Sequence, residues 1–155
     1  MNARARFLVA TGSWTLLVAV VMVAVPVLLR GRLPDPIAVE WTYSGTPEGS
    51  RFLGDYLFGN VLWWLVIAAV WALLGVRGVI RRRGRSWVAA ALGAFGVVML
   101  GTVVTTVLAN LDAGSFQNAA ERTGHGWLLL GAAFAAWAGW RLAGRDQGGP
   151  AGGVG

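Results

Sequence analysis

The chain has 155 residues, 56% of them hydrophobic and 13% charged, with thirteen basic against seven acidic side chains, one histidine and no cysteine. That balance is the reverse of a soluble domain's, and the length leaves room for one compact unit. The lack of cysteine excludes disulfides and thiolate metal sites.

Four long apolar runs follow one another, at residues 7–29, 57–76, 87–109 and 126–142. A hydrocarbon core about 30 Å thick needs roughly 20 apolar residues at 1.5 Å each, so every run is long enough to cross a bilayer as a helix. In lipid the backbone must satisfy its own hydrogen bonds, which helices do. The first run exceeds the h-region of a signal peptide and no A-x-A site follows it, so it is expected as a retained helix. The tail 146–155 is rich in glycine and is expected to be disordered.

All thirteen basic residues are arginine, and they are unevenly placed. Arg4, Arg6, Arg77, Arg81, Arg82, Arg83, Arg85, Arg141 and Arg145 fall on one side of the four runs. Arg30, Arg32, Arg51 and Arg122 fall on the other, with six of the seven acids: Asp35, Glu40, Glu48, Asp55, Asp112 and Glu121. Arginine-rich short loops stay in the cytoplasm, which places both termini and the 77–86 loop inside and residues 30–56 and 110–125 outside. No base-reading aromatic or polar residues accompany the arginines, so nucleic acid is not an expected partner. The expected location is the plasma membrane, with the lipid bilayer as the first partner.

Tryptophans at the ends of the runs read as interfacial belts: Trp63, Trp64 and Trp127 outside, Trp87, Trp137 and Trp140 inside. Gly131, Ala135, Gly139 and Ala143 form a small-residue stripe on the fourth run, matched by Ala89, Gly93 and Gly101 on the third with Gly96 beside them. Such stripes let backbones approach, either between these two spans or between copies in a homo-oligomer. The hydroxyls of Thr11, Ser13, Thr15, Thr102, Thr105 and Thr106 are expected to bond back to their own helices. No ionisable residue sits at mid-membrane, which argues against a proton-coupled carrier.

The segment 30–56 is more specific. Ile37, Val39, Trp41 and Tyr43 alternate with Ala38, Glu40 and Thr42, the period of a short half-buried strand. Ser44 to Ser50 reads as turn chemistry, with Gly45 and Gly49 free to take positive φ. Its carboxylates show no EF-hand spacing, and Arg30, Arg32 and Arg51 are at hand to neutralise them, so no metal or other cofactor is expected. His125 stands alone without a second ligand. In the second outer loop, Ser115 is placed to cap a short helix with Phe116, Ala119 and Ala120 toward the membrane.

A span, then Leu33, Pro34, Ile37, Trp41, Gly45, Pro47 and Gly49 with Glu48 in an acidic position, then a second span, resembles the signature of the DUF1648 domain family. The resemblance covers about residues 10–75. Glu40 stands where that family often has histidine, and the third and fourth runs do not supply the second signature of its best-known relatives. Those relatives resemble immunity proteins against a secreted sporulation-delaying toxin. The resemblance therefore implies an envelope protein that meets an extracellular peptide or protein ligand, with Pro34, Asp35, Glu40, Trp41, Gly45, Pro47 and Gly49 as the candidate binding residues.

The expected fold is an all-α membrane protein, one domain over residues 1–145, with four transmembrane helices and one ordered extracytoplasmic loop containing a short strand. No nucleophile–base pair or catalytic motif occurs, so an enzyme is not expected. A non-enzymatic sensor or immunity-like protein leads; a small transport-associated or permease-like subunit acting as an oligomer is the alternative.

Overall fold

A computed structural model describes residues 3–76, 82–123 and 125–145. The tail expected to be disordered, 146–155, and the His125 side chain lie outside what is described. Four helices dominate: α1 (Ala3–Leu28), α2 (Leu53–Val76), α3 (Arg82–Asn110) and α4 (His125–Arg145). Between α1 and α2 lies an antiparallel hairpin of β1 (Ile37–Trp41) and β2 (Pro47–Arg51), so the fold is mostly helical rather than all-α. Single 3-10 turns at Arg30–Arg32 and Phe116–Asn118 complete that end.

Three helices contain stretches long and apolar enough to cross a membrane: Ala5–Leu28, Leu53–Leu74 and Ser86–Asn110. Their outward faces expose Leu16, Leu17, Val20, Phe58, Leu62, Trp63, Val70 and other large apolar side chains. Apolar surface on this scale is what a lipid environment, not water, accommodates. α4 is not among these three. Its 21 residues are diluted by alanine and glycine, and the expectation of a fourth crossing does not follow from its composition.

Indoles and notches define the packing of α1, α2 and α3. Trp64 is fully buried, stacks on Phe95 at 6.3 Å between ring centroids and donates to the Thr15 carbonyl at 2.9 Å. It is therefore a core residue and not part of an interfacial belt, as its position in the run had suggested. Trp14 donates to the Leu92 carbonyl at 3.2 Å. Both rings converge on Gly96, where an added Cβ would lie 2.9 Å from the Trp14 nitrogen and 3.1 Å from the Trp64 ring. Each N–H meets a carbonyl, so neither the buried Trp64 nor the half-buried Trp14 leaves its donor unsatisfied. Trp87, Trp127, Trp137 and Trp140 are exposed near helix ends; Trp63 is exposed too, but it stands at the middle of α2 and not at the end expected for a belt residue.

The small-residue stripes meet each other. A Cβ on Gly139 would stand 2.6 Å from the Ala89 carbonyl oxygen, one on Gly93 2.8 Å from that of Ala135, and one on Gly131 3.3 Å from Val97. α3 and α4 thus run antiparallel with their backbones in close approach, and the stripe of α4 is used within the chain. Thr11, Thr15 and Thr105 bond back to carbonyls four residues earlier, at 2.9, 2.8 and 2.8 Å.

Candidate functional site: a hydrogen-bonded cap on the helical bundle

Residues 29–52 and 110–122 fold together as a cap over one end of the helices. Its centre is Asn110, the last residue of α3 and fully buried. The Asn110 side chain accepts from the Ala38 N–H at 2.7 Å and donates to the Ala38 carbonyl at 2.9 Å and the Thr106 carbonyl at 2.8 Å. One amide thereby pairs with both backbone groups of Ala38, as a neighbouring strand would.

Ala38 consequently joins Ile37 in the core, both with no exposure. The alternation expected from the sequence breaks here. The strands pair as Ile37↔Arg51, Ala38↔Ser50, Glu40↔Gly49 and Trp41↔Pro47, with irregularities on either side of Glu40. Bulges of this kind re-aim side chains. Tyr43, placed by alternation on the buried face, is fully exposed at the hairpin tip instead. The turn chemistry read over Ser44 to Ser50 is confined to its start: Thr42 accepts from Thr46 N–H at 3.1 Å, and Pro47 onward is strand. Pro47 opens an edge strand, the place where a missing N–H costs least.

Each candidate residue has a definite position. Pro34 is half-buried beneath the turn that follows α1, and the Asp35–Pro36 peptide is cis. Asp35 accepts from the Leu53 N–H at 3.1 Å and so satisfies one of the amides that begin α2. Trp41 donates to the Ala120 carbonyl at 3.0 Å, and the Arg122 guanidinium lies 5.8 Å from its ring centroid. The Trp41 ring thus ties the hairpin to the second loop. Gly45 takes φ +82°, and its missing side chain makes room for Glu121. Gly49 lies beneath Glu40, whose carboxylate would be 2.8 Å from any added Cβ. Glu40 itself is exposed.

The second loop is joined by further bonds that the sequence did not announce. Arg32 donates to Asp112 through two nitrogens, Nε to Oδ1 at 2.9 Å, and the Asp112 N–H donates to the Arg32 carbonyl at 2.8 Å. The hydrogen bond from Arg32 holds the Asp112 carboxyl below its ordinary value; slight desolvation opposes this and the arginine charge adds to it. Both side chains are more than half exposed, so the pair orients the loops more than it stabilises them. Asp112 takes φ 60°, a left-handed conformation that aspartate tolerates. The short helix expected after Ser115 is a single turn, Phe116–Asn118, which the Ser115 side chain does not cap; Ala119 is buried and Ala120 donates to the Ala109 carbonyl at 2.8 Å.

Asp35, Trp41, Gly45 and Gly49 therefore shape the cap through separate contacts, with Leu53, Ala120, Glu121 and Glu40 in turn, while Glu40 and Tyr43 are exposed. Tyr43 is missed by the family-like motif; its signal in the sequence is its place beside the Ser-Gly turn. Among the described residues no cluster of three or more His, Cys, Asp or Glu could hold a metal ion. Compared with known proteins, the chain matches no family model, no curated protein and no solved structure.

Proposed function

We propose that this is a multi-pass plasma-membrane protein whose four helices all cross the bilayer, with the cap on the extracytoplasmic side and both termini inside. The arginine asymmetry supports the orientation. The close packing of α4 along α3 supports the fourth crossing: a helix joined to a spanning neighbour by glycine–backbone contacts along its length shares that neighbour's environment.

The cap is read as a recognition surface, non-enzymatic and of the sensor or immunity kind that the likeness of Leu33, Pro34, Ile37, Trp41, Gly45, Pro47 and Gly49 to the DUF1648 family implies. One observation carries this reading: the hairpin is fixed to α3 by the buried Asn110 amide, yet presents a fully exposed Tyr43 and an exposed Glu40. A rigid aromatic offered on a pre-ordered support binds at low entropic cost, and a neighbouring carboxylate adds complementarity to a basic partner. The ligand proposed is an extracellular peptide or protein.

A photo-crosslinking residue at Tyr43, compared with one at the outward-facing Phe58, tests the proposal in intact cells. A discrete protein or peptide adduct from position 43 alone, lost in Glu40→Gln, is the expected result. Adducts from neither position, or the same adduct from both, would contradict it.

A further inference from the structure

Thr11, Thr15 and Thr105 turn their hydroxyls back to a carbonyl four residues earlier. Thr106, expected to do the same, does not. It is 1% exposed, and its hydroxyl has no hydrogen-bond partner among the described residues. The same holds for the phenol of Tyr56, a residue 8% exposed in the first turn of α2. Among the described residues these are the only buried side-chain polar groups left so, and they are neighbours on two different helices. The Thr106 hydroxyl faces the phenol, close enough to act on it yet outside hydrogen-bond geometry.

The groups around the pair are apolar or already engaged. The Asn110 amide spends its N–H groups on the Ala38 and Thr106 carbonyls, and the Asn60 amide donates to the Tyr56 carbonyl at 2.8 Å. Ile37, Leu53, Val103 and Val107 belong to the same buried core as Tyr56. A buried hydroxyl left unpaired is destabilising, and such groups in folded proteins are as a rule paired with protein or with ordered water. A direct bond between these two would satisfy one O–H group and leave the other. One water has two lone pairs and two hydrogens, so it can serve both hydroxyls within the roughly two to four bonds that a buried water makes.

We infer that Tyr56 and Thr106 form a binding site for one buried water molecule, which joins α2 to α3 directly beneath the cap. Thr106 lies one turn before Asn110 and its carbonyl takes an Asn110 N–H. The water therefore extends to α2 the contacts by which Asn110 ties α3 to β1.

A crystal structure of the full chain grown from lipid, at a resolution that shows ordered solvent, tests the site. One solvent peak within about 3.2 Å of both hydroxyl oxygens is the expected result, absent from Tyr56→Phe. Hydroxyls bonded directly to each other with no solvent beside them, or a Thr106 hydroxyl turned back to its own helix, would overturn it. Melting in detergent gives an independent reading, because removing one partner of a buried set strands the other while removing both is nearly neutral. Tyr56→Phe and Thr106→Val should each melt below the wild-type protein, and the double variant should melt above the lower of the two. Single variants that melt at or above the wild-type temperature would show that neither hydroxyl had a partner to lose, and so overturn the site. Stabilisation of the wild-type protein by chloride over gluconate at equal ionic strength would assign the site to an anion and overturn the water. Where a variant does not fold, the solvent density of the wild-type protein decides alone.

Discussion

The cap and the bundle are held together by different physics. In the bundle, α3 and α4 approach through glycine and alanine, and α1, α2 and α3 close over the buried Trp64 and the half-buried Trp14; shape decides, and many small contacts share the work. In the cap, a few directed bonds between residues distant in the chain decide, Asn110 with Ala38 and Trp41 with Ala120, and the exposed Arg32–Asp112 pair orients the loops. A region built on shape tolerates exchange of apolar residues of like volume. A region built on single bonds fails at single positions.

The largest expected effect breaks that comparison at its sharpest point. Asn110→Ala removes three buried hydrogen bonds and leaves the Ala38 N–H and carbonyl without partners, at a cost of about 3–5 kcal/mol. Thermal unfolding in detergent should show that loss, and amide exchange should show the hairpin released while α2 remains protected. Loss of protection throughout the molecule would mean that cap and bundle are one cooperative unit.

Gly139→Leu should cost about 1–3 kcal/mol, because its side chain must displace the Ala89 backbone rather than a flexible neighbour. Its outcome sharpens the contrast if Gly54→Leu, where nothing lies within 4 Å, leaves the melting temperature unchanged. An equal loss at both positions would mean that the close approach at Gly139 does not set the cost, since helix propensity alone favours leucine over glycine.

The smallest effect concerns pH. The depressed Asp112 carboxyl contributes stability that is fully present above its ordinary value of 3.8 and is lost as pH falls through its lower folded value. Asp112→Asn keeps a residue that accepts the left-handed backbone, so it isolates the charge. The two proteins should differ slightly in melting temperature near neutrality and converge in strong acid; a constant difference at every pH would dismiss the ion pair.

Much of the bundle could be read from the chain, because its information is periodic. Run length gave the helices, and the spacing of Gly131, Ala135 and Gly139 gave the α3–α4 contact. Trp64 misled because a tryptophan near the end of a run reads the same whether it faces lipid or a notch at Gly96. In the cap, β1 was visible through Ile37, Val39 and Trp41, whereas β2 was not: Pro-Glu-Gly-Ser-Arg lacks every residue that favours strands, and it is ordered by pairing with β1. Asn110 ends an apolar run like any polar residue at a helix terminus. Nothing local distinguishes it, since its partner is 72 residues away.

The proposed orientation, in which all four helices cross, is tested most directly by labelling with a membrane-impermeant thiol reagent in intact cells. The chain has no cysteine of its own, so single substitutions report without background. Ser44→Cys and Gly114→Cys should be labelled, and Gly78→Cys and Gly148→Cys should be labelled only after permeabilisation. Labelling of Gly148→Cys in intact cells, with Gly78→Cys still protected, would show that α4 does not cross, and protection of Ser44→Cys would put the cap on the wrong side of the membrane for any extracellular ligand.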